Sequence, residues 1–397
     1  MRALYFTDTY PPQVNGVSVV TELSVRGLEA RGWEVGVVAP RYPAGADVFG
    51  GTRPEVLLAP ASWAFPKYPE IRVMAPAWIR ALETARRFAP DVVHCATEFV
   101  GGRLGQWVAR KIGVPIVTSY HTDFGRYMAS YGVPRLQGAM TRYLTRFHRR
   151  AARTLTPSMA TRAELLDRGI DRAIVWGCGV DADRFHPAKR SAELRGSLGA
   201  KDSFVFLHVG RLAPEKSPER ILTAFARCRA RLGSRVTLVV AGDGPSREAL
   251  VRPAPPGVVF LGYLDRTADL PALYASADAF VFASETETLG LVVLEAMASG
   301  LPVVAAPAGG VADHLRHGVN GLAFRPGDVE QMAEYMIELA TEPNLRGSLA
   351  DGARQTATRL SWDRELDRLD ACYREVSRLE PRLARSEVAP GLSGSRP

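Results

Sequence analysis

The chain has 397 residues, with 46% hydrophobic and 23% charged side chains, which indicates a soluble globular protein with room for two domains. Its apolar runs, such as "VTLVVAG", are far shorter than the roughly 18–20 residues that span a bilayer, so we expect no transmembrane helix. The net charge of +8 favours anionic partners such as phosphates or a membrane surface, although a solvated arginine-rich surface explains it equally well. No recognition motif for nucleic acid is present, so we expect no nucleic-acid partner.

The start of the chain and its cysteines favour a reducing cytoplasm. The opening "MRALYFTDTY" leads directly into a strand and lacks the basic, apolar and small-residue regions of a signal peptide. The four cysteines are far apart and form no CxxC pair: Cys95, Cys178, Cys228 and Cys372. This spacing argues against a zinc site or a disulfide framework, so we expect a cytoplasmic protein without a bound metal.

Short β-branched runs alternate with helical patterns in the first half, which predicts an α/β fold with a parallel sheet. The predicted strands are "RALYF", "EVGVVAP", "DVVHCA", "PIVTSY", "TLTPS" and "RAIVWGCGV". Helices are predicted between them, among others over 18–31 and 102–111. A turn-rich segment, "GVDADRFHPAKR", follows and indicates a linker.

The alternation restarts at Ser203, which predicts a second domain of the same kind. Its strands are "FVFLHVG", "VTLVVAGDG", "VVFLGYL", "DAFVFAS", "PVVAAP" and "GLAFRPG". We therefore expect two doubly wound domains, with ligands bound beyond the carboxyl ends of the strands. The predicted boundaries are 1–180 for the first domain, 181–200 for the linker, 201–362 for the second domain, 363–380 for a helix that could cross back to the first, and 381–397 for a disordered tail.

Two loops of the first half carry candidate residues. In "TDTYPPQVNG", Asn15-Gly16 opens a helix, and Gly16 allows a ligand to approach the backbone; a simple turn is the alternative. In "SYHTDFG", His121 and Asp123 directly follow a strand. A histidine there can bind a sugar hydroxyl or assist proton movement, or it can merely cap the loop.

Two loops of the second half carry charged candidates. In "HVGRLAPEKSPERIL", Arg211 and Lys216 flank a loop before a helix, where both cations could hold one anion; Glu215 as an internal partner is the alternative. In "SETETLGLVVLEAM", Glu287 precedes a helix that it could cap, with Thr286 and Thr288 as further caps. Glu295 lies two turns inside the helix among apolar residues, where a carboxylate needs a ribose, a buried arginine or water as partner.

In this order and spacing, these segments resemble the retaining glycosyltransferases of family 4, which have the GT-B architecture of two facing Rossmann-like domains with an inter-domain cleft. The most specific match is the E-x7-E motif from Glu287 to Glu295, supported by "GRLAPEKS", "AGDGPSRE" and "EAMASGLPVVA". The resemblance extends from Arg2 to about Arg378. It implies a hexosyltransferase whose first domain binds the acceptor and whose second binds a nucleotide sugar, without a metal.

The resemblance also implies roles for individual residues. Glu287 would contact the donor sugar and Glu295 the ribose, with the diphosphate held by Arg211 and Lys216. His121 would lie beside the donor sugar and complete a catalytic set with Arg211, Lys216 and Glu287. Further donor contacts are implied for Gly16 and for the backbone of Thr288, Leu289, Gly290 and Leu291. Acceptor contacts are expected for Asn15, Tyr120 and Asp123.

Donor and acceptor are less sharply defined. Segments such as "YHTDFGRYMASYG" and "WGCGVDADRFHP" resemble GDP-mannose-dependent α-mannosyltransferases of membrane lipids, which favours GDP-mannose as donor and a lipid or glycan acceptor. "SETETLGLVVLEAM" also resembles the sulfoquinovosyl-diacylglycerol synthases, which leaves a UDP-hexose open. An inactive sugar-nucleotide-binding protein and a GT-B epimerase or phosphorylase are alternatives that the E-x7-E motif and the paired cations disfavour.

Two segments are candidates for contact with an anionic membrane. Residues 135–155 form a basic amphipathic pattern that could lie on the inner face of the plasma membrane or pack on the sheet with its arginines in water. The second candidate, 62–82, contains Trp63, Phe65, Trp78 and Ile79. We therefore expect a cytoplasmic protein with peripheral membrane attachment as an option.

Overall fold

The computed structural model describes residues 1–13, 15–43, 56–65, 68–122, 124, 134–177, 179–287 and 289–379. The chain divides into two compact units: the first contains residues 1–119, 150–153 and those from 370 onward, and the second contains residues 120–149 and 154–369. The domain boundaries expected from the sequence stay a prediction.

Fifteen strands are assigned within these ranges. They are β1 (Arg2–Phe6), β2 (Glu34–Val38), β3 (Val56–Leu58), β4 (Ser62–Phe65), β5 (Tyr68–Met74), β6 (Val92–Cys95), β7 (Ile116–Ser119), β8 (Arg153–Thr156), β9 (Ala173–Val175), β10 (Phe204–Val209), β11 (Val236–Ala241), β12 (Val258–Gly262), β13 (Ala279–Phe282), β14 (Val303–Ala305) and β15 (Gly321–Ala323). The strand predicted at each of the twelve β-branched runs is confirmed.

The helices separate the strands as the sequence predicts. They are α1 (Gly16–Glu29), α2 (Trp78–Phe88), α3 (Val100–Ile112), α4 (Gln137–His148), α5 (Met159–Asp167), α6 (Ala192–Ser197), α7 (Pro218–Leu232), α8 (Arg247–Val251), α9 (Leu270–Ser276), α10 (Leu291–Ala298), α11 (Val329–Thr341), α12 (Pro343–Thr358) and α13 (Trp362–Leu379). Within the described ranges, every helix is too short or too polar to cross a lipid bilayer.

The strands form two parallel sheets and one hairpin. The first sheet has the order β3-β2-β1-β6-β7-β8-β9 and the second the order β12-β11-β10-β13-β14-β15. β4 and β5 pair antiparallel, outside both sheets. This hairpin and β3 were not predicted from the sequence. The two parallel, α/β-type sheets confirm the expected fold class.

The basic helix α4 packs against the protein. Leu144 and Phe147 are fully buried, and Leu144 belongs to an apolar cluster with Tyr120, Leu165 and Ile170. The part of the apolar face formed by Leu144 and Phe147 is therefore covered, whereas Leu136, just before the helix, is 55% exposed. This helix follows the alternative in which the arginines remain in water.

The second half of α13 packs within the first unit. The indole Nε1 of Trp33 donates to Asp370 Oδ1 at 2.6 Å, and the hydroxyl of Tyr373 donates to that of Tyr5 at 2.7 Å. Tyr373 also bonds His94, whose Nε2 lies 2.7 Å from Ser119 Oγ. The contacts of Tyr373, Tyr5, His94 and Ser119 tie α13 to the strands β1, β6 and β7.

Candidate active site

The loops after β10 and β13 are held together by an alternating pattern in Ser284-Glu285-Thr286-Glu287. The hydroxyls of Ser284 and Thr286 both donate to the carbonyl of Glu215, at 3.4 and 3.0 Å. The two carboxylates of the same segment extend to cations at the start of α7. The "SETE" segment therefore fastens the β13 loop to the β10 loop.

Lys216 forms an ion pair with Glu287, between Nζ and Oε1. Their side chains are 17% and 15% exposed, so water screens the pair only weakly. The backbone of Glu287 is fixed independently, because its carbonyl accepts from Gly310 N–H at 2.8 Å. Gly309 has φ of +55°, and a Cβ there would stand 1.8 Å from the same carbonyl, so this position requires glycine.

A second ion pair joins Arg220 Nη1 to Glu285 Oε1 on the same two loops. Neither residue was predicted from the sequence as part of the site. Arg220 lies in the first turn of α7, four residues after Lys216. Side chains four residues apart face the same side of a helix, so this spacing could have identified Arg220 from the sequence. The segment thus presents two cations, each already facing a carboxylate.

The helix α10 begins at Leu291 without a side-chain cap. Its N-cap is Gly290 at φ of +76°, and no side chain accepts from its first turn. The prediction that Glu287 or Thr286 caps this helix is wrong, because both side chains bind the β10 loop instead. Thr288 lies outside the described residues. Leu289 and Leu291 flank the uncapped helix start, whose N–H groups favour an anion.

Glu295 is paired inside the second unit. Its carboxylate is 1% exposed, and Oε1 accepts from Arg266 Nε at 2.7 Å and Nη2 at 2.6 Å. Oε2 accepts from the hydroxyl of Tyr274 at 3.2 Å. Burial, followed by the charge of Glu295, raises the pKa of Tyr274 far above its usual range. The sequence left a ribose, a buried arginine or water as partners of Glu295. In the structure the partner is an arginine, Arg266, whose side chain is 15% exposed.

The loop carrying Arg211 is held by its neighbour after β11. Leu212 N–H donates to Asp243 O at 2.9 Å, and Ser246 N–H to Leu212 O at 2.9 Å. Gly244 has φ of +157°, and a Cβ there would stand 2.4 Å from Leu212 O. "AGDGPS" is therefore structural, and it fixes the path on which half-buried Arg211 lies.

His208, at the end of β10, was missed by the sequence analysis. It is fully buried, its Nδ1 lies 3.1 Å from Val281 O, and its ring stacks on Phe282. Burial lowers its pKa to about 4, so the imidazole is neutral at pH 7. Because it is neutral, His208 adds no positive charge to the loop that carries Arg211 and Lys216.

The candidate residues after β7 are Tyr120, His121 and Asp123. Burial lowers the pKa of half-buried His121 to about 4, and that of neighbouring His148 to about 3, so both are neutral at pH 7. Tyr120 is fully buried, and its hydroxyl accepts from Arg168 Nη1 at 3.1 Å, which favours a core role over contact with an acceptor. Asp123 lies outside the described part of the chain.

Asn15 and Gly16 lie in the first unit. The Asn15 side chain accepts from Ser18 N–H at 2.9 Å, and Ser18 Oγ lies 3.1 Å from Asn15 N–H, which forms a capping box at α1. Gly16 is exposed, and a Cβ there would meet no atom within 4 Å in the described chain. Packing therefore does not require this glycine. Among the described residues, no three His, Cys, Asp or Glu side chains gather as a metal site.

Two protein-family models match the chain. One, described as "Glycosyltransferase Family 4", matches residues 14–184, and the other, "Glycosyl transferases group 1", matches residues 190–356. Together they cover the second parallel sheet and, apart from β1, the first. The helix start and the ion pairs of the β10 and β13 loops fall within the second match.

Known proteins are similar over most of this length. A GDP-mannose-dependent alpha-mannosyltransferase of Mycobacterium tuberculosis is 37% identical over 95% of this chain and 97% of its own length. Sulfoquinovosyl transferase SQD2 of Arabidopsis thaliana is 35% identical over 91% of this chain and 71% of its own. The structure of Anabaena HepE with UDP-glucose superposes with a TM-score of 0.76, at 20% identity, over 94% of this chain and 100% of that one, and confirms the GT-B fold. The chain belongs to glycosyltransferase family 4 and is a hexosyltransferase.

Proposed function

We propose that this protein is a retaining glycosyltransferase that moves mannose from GDP-mannose to a lipid or glycan acceptor. The observation that carries the proposal is Lys216, which meets Glu287 in the segment leading to the uncapped start of α10, with Arg211 on the same loop as Lys216. A diphosphate needs positive charge and N–H donors, and this place supplies both without a metal. The GDP-mannose-dependent relatives, similar over nearly their whole length, support the choice of donor.

The reaction requires the diphosphate to leave with its negative charge stabilised. Arg211 and Lys216 would hold the leaving group, with the N–H groups from Leu289 to Leu291 directed at the phosphates or the sugar. Glu287 would accept hydrogen bonds from hydroxyls of the sugar. Retention would follow from attack on the same face as the departing diphosphate, through an oxocarbenium-like state. Neutral His121 would donate or accept one hydrogen bond beside the anomeric carbon.

Glu295 is proposed to bind the ribose of the nucleotide. Its three hydrogen bonds leave acceptor capacity on both oxygens, so a ribose diol could share the carboxylate with Tyr274. Because the carboxylate is buried, Arg266 would have to shift to admit the ribose. We therefore propose that nucleotide binding rearranges the pair of Arg266 and Glu295.

UDP-hexose is the second candidate donor. Sulfoquinovosyl transferase SQD2 is named for a sulfoquinovosyl group and the alpha-monoglucosyldiacylglycerol synthase of Streptococcus pneumoniae for a glucosyl lipid, so neither name points to mannose. A comparison of GDP and UDP in thermal unfolding separates the two, because the nucleotide that binds the folded state raises its melting temperature. A larger shift with UDP would overturn the GDP-mannose assignment and leave the glycosyltransferase intact.

Attachment to an anionic lipid surface would bring a lipid acceptor to the enzyme. Since α4 is packed, the better-supported contact is the start of α2, where Trp78, Ile79 and Arg80 are exposed, with exposed Trp63 on the hairpin. The side chain of Phe65 lies outside the described residues. Liposome sedimentation should fall in a Trp78→Ser, Ile79→Ser variant and be unchanged in Arg142→Ser on α4. Equal loss in both variants would contradict this placement.

Turnover is tested with purified protein, GDP-mannose and UDP-hexoses, by the release of nucleoside diphosphate with and without a polyprenyl or diacylglycerol acceptor. The expected result is slow hydrolysis of GDP-mannose that accelerates with acceptor. The anomeric configuration of the product, measured by NMR, tests retention. A protein that neither binds nor turns over any nucleotide sugar would contradict the proposal.

A further inference from the structure

The ammonium of Lys216 has an anionic partner within the protein. The carboxylate of Glu287 binds Nζ, and both side chains are more than four-fifths buried. An incoming phosphate oxygen would have to compete with this carboxylate for the same N–H groups. Because little water reaches the pair, the competition is between two anions rather than between an anion and solvent.

We propose that donor binding is an anion exchange at Lys216, in which the diphosphate displaces the carboxylate of Glu287. The displaced carboxylate then becomes available for the hydroxyls of the donor sugar. This inference rests on the proposed function, since it assigns the diphosphate to Lys216. It couples two recognition steps: the phosphate must arrive before Glu287 can bind the sugar.

The loop is built so that only the side chain of Glu287 has to move. Its carbonyl remains bonded to Gly310 N–H at 2.8 Å, and the adjacent Thr286 hydroxyl remains on Glu215 O at 3.0 Å. Neither contact involves the carboxylate. A rotation of the Glu287 side chain therefore breaks the ion pair and leaves the backbone of the loop in place.

The chain contains a matched control two residues away. Glu285 lies on the same loop and pairs with Arg220, with side chains that are 35% and 36% exposed. Glu285→Gln removes the same unit of negative charge as Glu287→Gln, from a neighbouring position. It leaves the carboxylate on Lys216 untouched. General electrostatic attraction predicts equal effects of the two changes, whereas the exchange predicts an effect of Glu287→Gln alone.

The experiment measures the binding of GDP, UDP and inorganic pyrophosphate by calorimetry in the full-length protein. Glu287→Gln should bind the favoured diphosphate roughly tenfold more tightly than wild type, because weakly screened pairs cost more to break than surface pairs. The same substitution should have no effect on affinity in a Lys216→Gln background. Turnover of the nucleotide sugar should nevertheless fall in Glu287→Gln, since the amide binds the sugar hydroxyls less well.

Three outcomes would overturn the exchange. They are unchanged or weaker diphosphate binding by a folded Glu287→Gln, equal tightening by Glu285→Gln, and persistence of the effect without Lys216. Thermal unfolding of each variant establishes that it is folded, and Glu287→Asp provides a second variant that keeps the charge and should bind more weakly than Glu287→Gln. If wild type binds no nucleoside diphosphate, the proposed function itself fails; equal binding by wild type and Glu287→Gln overturns the exchange alone.

Discussion

The Arg266→Met variant tests how the buried carboxylate of Glu295 is stabilised. Arg266 donates to Oε1 through Nε at 2.7 Å and Nη2 at 2.6 Å, and only 15% of its side chain is exposed. Its guanidinium also lies 5.6 Å from the ring centroid of Phe185. Methionine keeps much of the apolar volume and removes the charge and both hydrogen bonds.

The expected loss of stability is large because the charge that remains is buried. With Arg266 gone, the donor to Glu295 that remains among the described residues is the Tyr274 hydroxyl at 3.2 Å. Removing one partner of a buried ion pair costs about 3–5 kcal/mol, and the lost contact with Phe185 adds about 0.5–1 kcal/mol. For a unit of this size, such a change should lower the melting temperature by roughly 10 °C.

The assay is thermal and urea unfolding of wild type, Arg266→Met and the double variant Arg266→Met, Glu295→Leu. The double variant should recover most of the loss, since an apolar pair carries no buried charge. Arg220→Met is the control, because its pair with Glu285 is about one-third exposed and should contribute less than about 1 kcal/mol. A loss below about 1 kcal/mol in Arg266→Met, or a double variant as unstable as the single one, would refute the reasoning.

Three further predictions concern β10 and the loops after β10 and β13. Lys216→Ala should lower kcat by on the order of 100-fold through loss of one stabilising charge, whereas exposed Lys201→Ala should not; unchanged turnover would show that Lys216 does not touch the diphosphate. Gly309→Ala should lower both activity and melting temperature, because its Cβ would stand 1.8 Å from Glu287 O, whereas Gly347→Ala, inside α12, meets no atom within 4 Å and should not lower the melting temperature, since alanine favours a helix interior over glycine. His208 has a pKa of about 4 when folded, below its value of about 6.5 when unfolded, so its contribution to stability is complete above pH 6.5 and falls by about 3 kcal/mol as the pH drops to 4. The unfolding free energy of His208→Phe should therefore depend less on pH in that window, and an unchanged slope would contradict the burial of a neutral imidazole.

The fold could be predicted because parallel strands leave a strong sequence signal. Strands such as β11 (Val236–Ala241) are buried on both faces, so they read as continuous apolar runs between helical patterns. The hairpin of β4 and β5 lies outside both sheets and lacks such a run. β3 (Val56–Leu58) was likewise not predicted from the sequence. These elements were found only in the structure.

The membrane prediction shows where periodicity is insufficient. Residues 135–155 have the pattern of an amphipathic basic helix, and such a pattern is the same whether the apolar face meets lipid or a neighbouring sheet. The packing of Leu144 and Phe147 decided this for α4. The exposed apolar residues at the start of α2 are too few to show a helical period in the sequence. The burial of Ala81 and Ala85 shows which face of α2 packs on the protein and which face is exposed.

The sequence by itself determined the α/β class, the order of strands and helices, and the loops that carry Arg211, Lys216, Glu287 and Glu295, because these follow from local patterns and spacing. The tertiary structure decided which charges meet. Lys216 and Glu287 are 71 positions apart, Arg220 and Glu285 are 65 apart, and Arg266 and Glu295 are 29 apart. Such pairs form because parallel strands bring distant loops to one edge of a sheet, and no local pattern records the partner.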